Sequence, residues 1–325
     1  SRKCSSNSVC NMEFSHISVM AKEVIEALDV SRGGIFVDCT AGGGGHSLEI
    51  AKRLPEGSRL ICLDRDEDAI EACTKRLENY RDKFTIVKSN FMNIAAALDS
   101  LGVEKIDGVM WDLGVSSHQL DEGERGFSYS KEAPLDMRMD REQVKTAYDV
   151  VNLYSAEELT RILRDYGEER FASKIAHDIV TARETKPIET TTELAELVTN
   201  SIPAAVRKKE NQNPARRTFQ AVRIEVNGEL DAIEPSISAA VDRLNPGGRL
   251  AVITFHSLED RIVKSNFRKN ENPCTCPSNF PVCVCGKKSK GRVITKKPIL
   301  PSEKELGENS RSKSAKLRVF EKIDV

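Results

Sequence analysis

The segment from Ile35 to Ser47 constrains the fold of this chain more than any other. A short apolar run ends in Asp38, four consecutive glycines follow at Gly42–Gly45, and an amphipathic stretch begins at Leu48. Glycine permits tight turns and close approach of a ligand to the backbone, and the first turn of a helix offers free N–H groups. The segment therefore predicts strand, tight loop and helix, which is how a doubly wound α/β sheet begins a nucleotide-type cofactor site.

The glycines alone do not specify the cofactor. The dinucleotide pattern G-x-G-x-x-G fails, because its last position falls on Ser47 when counted from Gly42 and on Leu48 when counted from Gly43. The next predicted strand ends in Asp64, and a carboxylate there suits the two hydroxyls of a ribose. Dehydrogenases also place an acid at this point. The residues themselves thus predict an adenosine-type cofactor in a parallel sheet.

Strand and helix patterns alternate up to Asp112 and resume after about Asn227. We therefore expect one α/β domain made of residues 12–119 and 225–325. Residues 120–224 are predicted to form an inserted, mostly helical domain for substrate recognition, with helices over 155–165, 168–183 and 191–201. Residues 1–11 lack periodicity and precede Met12, so they are expected to be a disordered or non-native extension.

Composition indicates a soluble globular protein, with 30% charged residues, 39% hydrophobic residues and a formal net charge of −1. No apolar run approaches the length of a membrane span and no signal peptide is visible, so we expect a cytoplasmic protein without a membrane partner. Basic residues nevertheless cluster in the tail from Lys287 to Lys322 and between Arg207 and Arg223. Such runs are either solvated faces or contacts to a polyanion.

Four of the nine cysteines form two C-x-C pairs in a proline-rich loop. Four thiolates can hold structural zinc tetrahedrally, although C-x-C is tighter than the usual C-x-x-C spacing. Disulfides and free thiols are the alternatives. The four residues are Cys274, Cys276, Cys283 and Cys285.

Nine motifs, in order from residue 16 to residue 261, resemble those of the ribosomal RNA small-subunit methyltransferase H family, also known as MraW. A Pro-Gly-Gly turn before a late apolar strand, at Asn245–Phe255, is also typical of S-adenosylmethionine-dependent methyltransferases. The motifs are His16-Ile-Ser-Val-Met20, Asp38-Cys-Thr-Ala-Gly-Gly-Gly-Gly-His-Ser47, Leu63-Asp-Arg-Asp66, Asp112-Leu-Gly-Val-Ser-Ser117, Glu124-Arg-Gly-Phe-Ser128, Pro134-Leu-Asp-Met-Arg-Met-Asp140, Tyr166-Gly-Glu-Glu-Arg-Phe171, Arg217-Thr-Phe-Gln-Ala-Val-Arg-Ile224 and Phe255-His-Ser-Leu-Glu-Asp-Arg261.

The resemblance implies a class I S-adenosylmethionine-dependent methyltransferase fold, which is a Rossmann-like α/β sheet with an inserted helical domain. It also implies methyl transfer from S-adenosylmethionine to N4 of one cytidine in the decoding centre of 16S rRNA, so the expected partner is 16S rRNA or the small ribosomal subunit. The cofactor contacts implied for this chain are Gly44, Gly45, His46, Asp64, Phe91, Asp112 and Gln119.

The chemistry suggests further candidates. Transfer to an exocyclic amine needs an acceptor near N4–H, and Asp112 and His256 are the candidate catalytic groups. Each has an alternative, since Asp112 can serve the cofactor alone and His256 can be structural. Phe127 and Tyr129 are candidates for stacking on a flipped cytidine.

Arg216, Arg217 and Arg223 are expected to line the substrate cleft, unless Arg217 and Arg223 pair with Glu225 or Glu229. Two rival classes stay open at this point. One is a methyltransferase acting on protein or on a small molecule. The other is a nicotinamide-binding oxidoreductase or a non-catalytic nucleotide-binding module.

Overall fold

A computed structural model describes residues 18–116, 119–120, 122–209, 212–277 and 280–324. The extension predicted at residues 1–11 lies outside them. In the described part, seven strands form one sheet in the order β3-β2-β1-β4-β5-β7-β6, in which β7 runs antiparallel to both neighbours. The strands are β1 (Ile35–Asp38), β2 (Arg59–Asp64), β3 (Phe84–Lys88), β4 (Ile106–Asp112), β5 (Leu244–Thr254), β6 (Gly291–Val293) and β7 (Lys316–Lys322).

Alternate residues of the strands enter two apolar cores, as the period of two in a β-strand requires. Phe36 and Leu60 pack into one core, whereas Val37 and Ile61 pack into the other. Helices cover both faces, which gives the predicted class I methyltransferase fold. These helices are α1 (Ala21–Leu28), α2 (Gly45–Ala51), α3 (Glu67–Arg76), α4 (Ile94–Ser100), α11 (Ile233–Arg243) and α12 (Ser257–Glu271).

A third apolar core belongs to the helical segment between β4 and α11. Capping boxes start three of its helices, at Thr146, Ser155 and Thr190, where each side chain accepts from a backbone N–H three residues later. The helices predicted at 155–165 and 191–201 are confirmed, whereas the helix predicted at 168–183 begins four residues later, at Ala172. The boundaries at 120 and 224 stay predictions. The helices are α5 (Ala147–Leu153), α6 (Ala156–Asp165), α7 (Ala172–Thr185), α8 (Thr191–Ser201), α9 (Ala204–Arg207) and α10 (Arg216–Asn227).

The C-terminal part returns to the sheet. After α12, the chain forms β6, a short helix α13 (Glu303–Glu308) and a 3₁₀ turn at Ser310–Ser314 before β7. No described helix has the length and apolar character that a membrane crossing needs.

Candidate functional site

A cavity of about 730 Å³ lies where β1, β2 and β4 end at the carboxyl edge of the sheet. Parallel strands bring their carboxyl ends together, and α/β sheets bind ligands at that edge. The volume falls within the range of small-molecule and cofactor sites. Of the predicted cofactor contacts, the lining includes Gly45, His46, Asp64, Phe91, Asp112 and Gln119.

Asp38, at the end of β1, supports the glycine loop from within. Its side chain is fully buried and accepts hydrogen bonds from Ser47 Oγ at 2.7 Å and from Thr40 N–H at 3.1 Å. Burial raises the pKa of the Asp38 carboxyl, against the lowering effect of nearby His46 and of these hydrogen bonds. Asp38 therefore fixes the loop and leaves ligand contact to the groups around it.

The glycines of this loop have different tasks. Gly44 has a φ of +78°, and a Cβ on it would approach Cys73 Sγ and Cα of α3 to 3.0 and 3.1 Å. Gly44 does not line the cavity, and its role is to let the turn pack closely against α3. The predicted cofactor contact at Gly44 stays a prediction. Gly45 does line the cavity, and a Cβ there would collide with Ser18 Oγ at 2.0 Å.

Asp64, at the end of β2, connects the loop to the second strand. Its Oδ2 accepts from Gly42 N–H at 2.8 Å and its Oδ1 accepts from Asp66 N–H at 2.9 Å. Burial raises the pKa of Asp64 to about 6, although both backbone hydrogen bonds lower it. Each carboxylate oxygen keeps a lone pair, so the group can also accept from hydroxyls in the cavity.

Asp112 and His46 form a polar pair on the cavity wall. His46 Nε2 lies 3.5 Å from Asp112 Oδ2, and the His46 side chain is buried. Burial lowers the pKa of His46, but the Asp112 carboxylate and the charge of Asp38 outweigh it, so the net shift is upward. Asp112 Oδ1 is buried and accepts no hydrogen bond from the described part of the chain. A buried acceptor without a donor at a cavity wall suits a ligand that brings one.

Gln119 is nearly buried and joins two loops at the cavity wall. Its Nε2 donates to Asp66 Oδ2 at 2.8 Å, and its Oε1 accepts from Ser116 N–H at 3.0 Å. Arg125 Nη1 lies 3.1 Å from the same Asp66 oxygen. The group thus shapes the wall through Asp66, which begins α3 as its N-cap.

His256 does not line the cavity. Its Nε2 lies 3.1 Å from Glu259 Oε1, and Glu259 Oε2 accepts from Phe255 N–H at 2.7 Å. Burial would raise the pKa of Glu259, but the His256 and Phe255 bonds and the charge of Arg223 lower it overall. This position fits the structural role that was the alternative for His256. Glu259, not His256, lines the cavity, and a catalytic role for His256 stays a prediction.

The predicted substrate residues fall into two groups. Arg223 is mostly buried and pairs with Glu229 through two hydrogen bonds of 2.8 and 3.0 Å, which is the pairing weighed against a cleft role. Phe127 is buried in the helical core, and Tyr129 packs edge-to-face on Phe219. Stacking of a base on either ring would have to compete with this packing, so that role stays a prediction.

Arg216 and Arg217 begin α10 beside the turn that follows α6. The Arg217 carbonyl comes so close to Gly167 that a Cβ there would approach it to 2.7 Å. The neighbouring Glu168 accepts a hydrogen bond from Ser257 Oγ, next to His256 at the start of α12. The two arginines therefore lie where the helical segment meets the sheet.

Sequence reasoning missed part of the cavity wall. Residues 308–311, from the last residue of α13 into the 3₁₀ turn before β7, line it together with Ser18 and Asn90. Asn90 accepts from Met92 N–H at 3.0 Å and so fixes the short turn that carries Phe91. The sequence showed 308–311 only as part of a basic tail, because nothing local indicates that β7 brings it back to the sheet.

The lining is chemically suited to an adenosine-type cofactor with a positive centre. Asp64 offers acceptors to hydroxyls, Phe91 offers an apolar ring face, and Gly45 leaves the backbone open. Carboxylates of Asp64, Asp112 and Glu259 concentrate negative charge, which favours a cationic ligand. The same lining carries Arg65, Arg76 and Arg311, which six carboxylate side chains outnumber.

The chain is similar to known proteins along nearly its whole length. The model of the MraW methylase family matches residues 13–323. A protein of Lachnospira eligens named ribosomal RNA small subunit methyltransferase H is 60% identical over 312 residues, which are 96% of this chain and 99% of that protein. A protein of Agathobacter rectalis named ribosomal RNA small subunit methyltransferase H 2 is 60% identical over 315 residues, which are 97% of this chain and all of that protein.

Proposed function

Because the chain belongs to the MraW methylase family and is an S-adenosylmethionine-dependent methyltransferase, we propose that it methylates N4 of one cytidine in the decoding centre of 16S rRNA. A protein that acts on ribosomal RNA is expected in the cytoplasm. The names of the similar proteins support small-subunit ribosomal RNA as the substrate class. The observation that carries the choice of an amine is Asp112, a carboxylate with one unpaired oxygen at the cavity wall.

S-adenosylmethionine supplies an electrophilic methyl group when bound. In this proposal Asp64 holds the ribose, Phe91 packs on the adenine and Gly45 admits the methionine part. These contacts fix the position of the cofactor against the substrate, which is the main contribution that a methyltransferase makes through proximity.

The amine of cytosine is a weak nucleophile, because its lone pair is delocalised into the ring. An acceptor for N4–H favours the pyramidal nitrogen that attacks, and it takes the proton that the amine must lose. In this proposal Asp112 takes this role, because it lines the cavity, its Oδ1 has no donor in the described part of the chain, and its Oδ2 lies 3.5 Å from His46 Nε2. His46 thus acts as a positioning residue through Asp112.

The test is mass mapping of modified nucleosides in 16S rRNA from cells with and without this protein. The proposal expects N4-methylcytidine at one decoding-centre position to vanish without the protein and to return with the wild-type chain. Loss of a 5-methyl or a ribose 2′-O-methyl group instead would contradict the choice of N4. Unchanged rRNA, with label passing to protein or to a small molecule, would contradict the substrate class.

Cofactor affinity is expected to depend on the Asp64 carboxylate. Since its pKa is about 6, affinity should be constant above that pH. It should then weaken by up to about tenfold per pH unit below it, as protonation removes an acceptor from the carboxylate. Asp64→Ala should cost about 1.5–3 kcal/mol for each missing bond to a charged acceptor, or about 10- to 150-fold in Kd.

Calorimetry with S-adenosylmethionine between pH 5 and 8 measures both effects. Asp64→Asn is the matched control, because it keeps the shape and removes the titration. Asp64→Asn should bind S-adenosylmethionine weakly, and its affinity should not change with pH over the same range. A wild-type Kd that stays constant down to pH 5, or an Asp64→Ala variant with wild-type affinity, would show that Asp64 does not bind the cofactor.

The double variant Arg216→Glu/Arg217→Glu is expected to weaken RNA binding. Each ion pair with a phosphate that is removed should lower affinity for all sequences alike and flatten the slope of log K against log salt by about one, so the loss of both arginines should flatten it by about two. Arg223 is left unchanged, because breaking its pair with Glu229 would destabilise the fold, and the lost stability could be mistaken for lost RNA binding. Filter binding of a 16S rRNA fragment across a salt series measures the slope.

Arg81→Glu is the control for this double variant. Arg81 is exposed, whereas Arg216 and Arg217 are half-buried, and it precedes β3 and so lies at the opposite, amino edge of the sheet. It should leave RNA affinity within about twofold of the wild type, since a distant surface charge acts weakly through salt. If the double variant keeps the wild-type slope while its thermal midpoint falls, Arg216 and Arg217 are structural.

A further inference from the structure

Four cysteine sulfurs converge in the loop between α12 and β6, away from the cavity. All four Sγ atoms lie within 4.8 Å of one another. Both C-x-C pairs thus direct their sulfurs toward one point. Val284, between Cys283 and Cys285, is 72% exposed.

The sulfur distances suit one shared centre better than two separate pairs. Cys283 Sγ lies 3.4 Å from Cys274 Sγ, 3.4 Å from Cys285 Sγ and 3.9 Å from Cys276 Sγ. A disulfide would bring one of these partners to about 2.05 Å and exclude the others. Tetrahedral zinc with bonds of about 2.3 Å sets its sulfurs about 3.8 Å apart, which is close to the observed spacing.

The loop has no apolar core of its own. None of its described residues, 272–277 and 280–290, is buried, and even Phe280 and Val282 are 48% and 70% exposed. A segment without buried apolar area cannot offset the entropy of ordering, so small units of this kind depend on metals or disulfides. A cross-link at the four cysteines would hold this loop in one conformation, which apolar packing does not do here.

We propose that Cys274, Cys276, Cys283 and Cys285 form a structural tetrathiolate zinc site that holds this loop. The four thiols release their protons as Zn²⁺ binds, so no oxidant or reductant is needed. Val284 N–H already lies 3.3 Å from Cys276 Sγ, and such donors orient and stabilise metal-bound thiolates. The four sulfurs fill the coordination sphere, which gives the site a structural role and no catalytic one.

The test begins with metal analysis of the full-length protein, produced in zinc-supplemented medium and purified without chelator. We expect about one equivalent of zinc, and less than about 0.1 equivalent in the double variant Cys276→Ser/Cys283→Ser. Cys10→Ser is the matched control, because it removes a cysteine of the N-terminal segment and should keep the zinc. In the double variant, trypsin should cut faster after Lys287 and Lys288.

Three results would overturn the proposal. The first is wild-type protein with less than about 0.1 equivalent of zinc and four titratable loop thiols. The second is a mass that shows two disulfides in protein alkylated directly in cell lysate. The third is iron with the visible absorbance of an iron–sulfur cluster, which the same ligands can also hold. Wild-type metal content decides the matter even if the variant fails to fold.

Discussion

Replacing Asp112 with alanine is expected to lower kcat for methyl transfer by about 10²- to 10⁴-fold, which is the usual contribution of a positioned acid or base. The variant lacks the acceptor for N4–H and the charge that faces His46 at 3.5 Å. Single-turnover transfer of labelled methyl to 16S rRNA measures the chemical step, and calorimetry measures cofactor affinity. We expect Kd for S-adenosylmethionine to change far less than kcat.

Two further variants separate chemistry from folding. Asp112→Asn keeps the size and removes the charge, so it should abolish most of the activity while it keeps the fold. Asp107→Asn alters another aspartate of β4 near the amino edge, where Asp107 accepts from Ile35 N–H at 2.8 Å and from Asn245 Nδ2 at 2.9 Å. It should lower the thermal midpoint but leave kcat within about threefold, since it touches no reacting group.

The alternative role of Asp112 has a distinct signature. If Asp112 serves only the cofactor, Kd should rise as much as kcat/KM falls, while kcat at saturation stays near the wild-type value. That outcome would leave the site without an assigned acceptor. Glu259 would then be the next carboxylate to test, because it also lines the cavity.

The sheet and its cofactor edge could be predicted from sequence because their signals are local. The apolar strand before Asp38 and the glycines after it determine both the turn and the start of α2. Strand alternation then brings Asp64 and Asp112 to the same edge without any knowledge of contacts. The helix capping boxes are local for the same reason, since donor and acceptor lie three residues apart.

The sequence could not decide which charged or polar side chains already pair with a neighbour in the fold. The run that contains Arg216 and Arg223 drew attention by its charge, yet Phe219, Val222 and Val226 make it the helix α10, packed in the helical core. Glu229, six residues beyond Arg223, pairs with that arginine and neutralises its charge. Likewise, the sequence shows His256 at a strand end but does not show that its imidazole contacts Glu259, one helical turn later.

Replacing Arg125 with alanine should have the largest effect on stability. Only 5% of its side chain is exposed, and Nη1 lies 3.1 Å from both Asp66 Oδ2 and Asp68 Oδ2. Nη2 donates to the carbonyls of Arg138 at 2.8 Å and Met139 at 3.1 Å. Removing one partner of a buried ion pair costs about 3–5 kcal/mol, because the other charge is left buried. We expect the thermal midpoint to drop by about 4–7 °C.

Arg141→Ala is the matched control for this change. Arg141 is 58% exposed and pairs with Asp68 at 2.8 Å and with Glu122 at 3.5 Å, so it shares an acid with Arg125. An exposed pair contributes about 0–1 kcal/mol, and this variant should melt within about 3 °C of the wild type. If both variants lost the same stability, burial of the Arg125 ion pair would add nothing to the free energy of unfolding. If Arg125→Ala melts as expected, cofactor affinity should fall with it, because Asp66 then lacks the cation that holds it against Gln119 at the cavity wall.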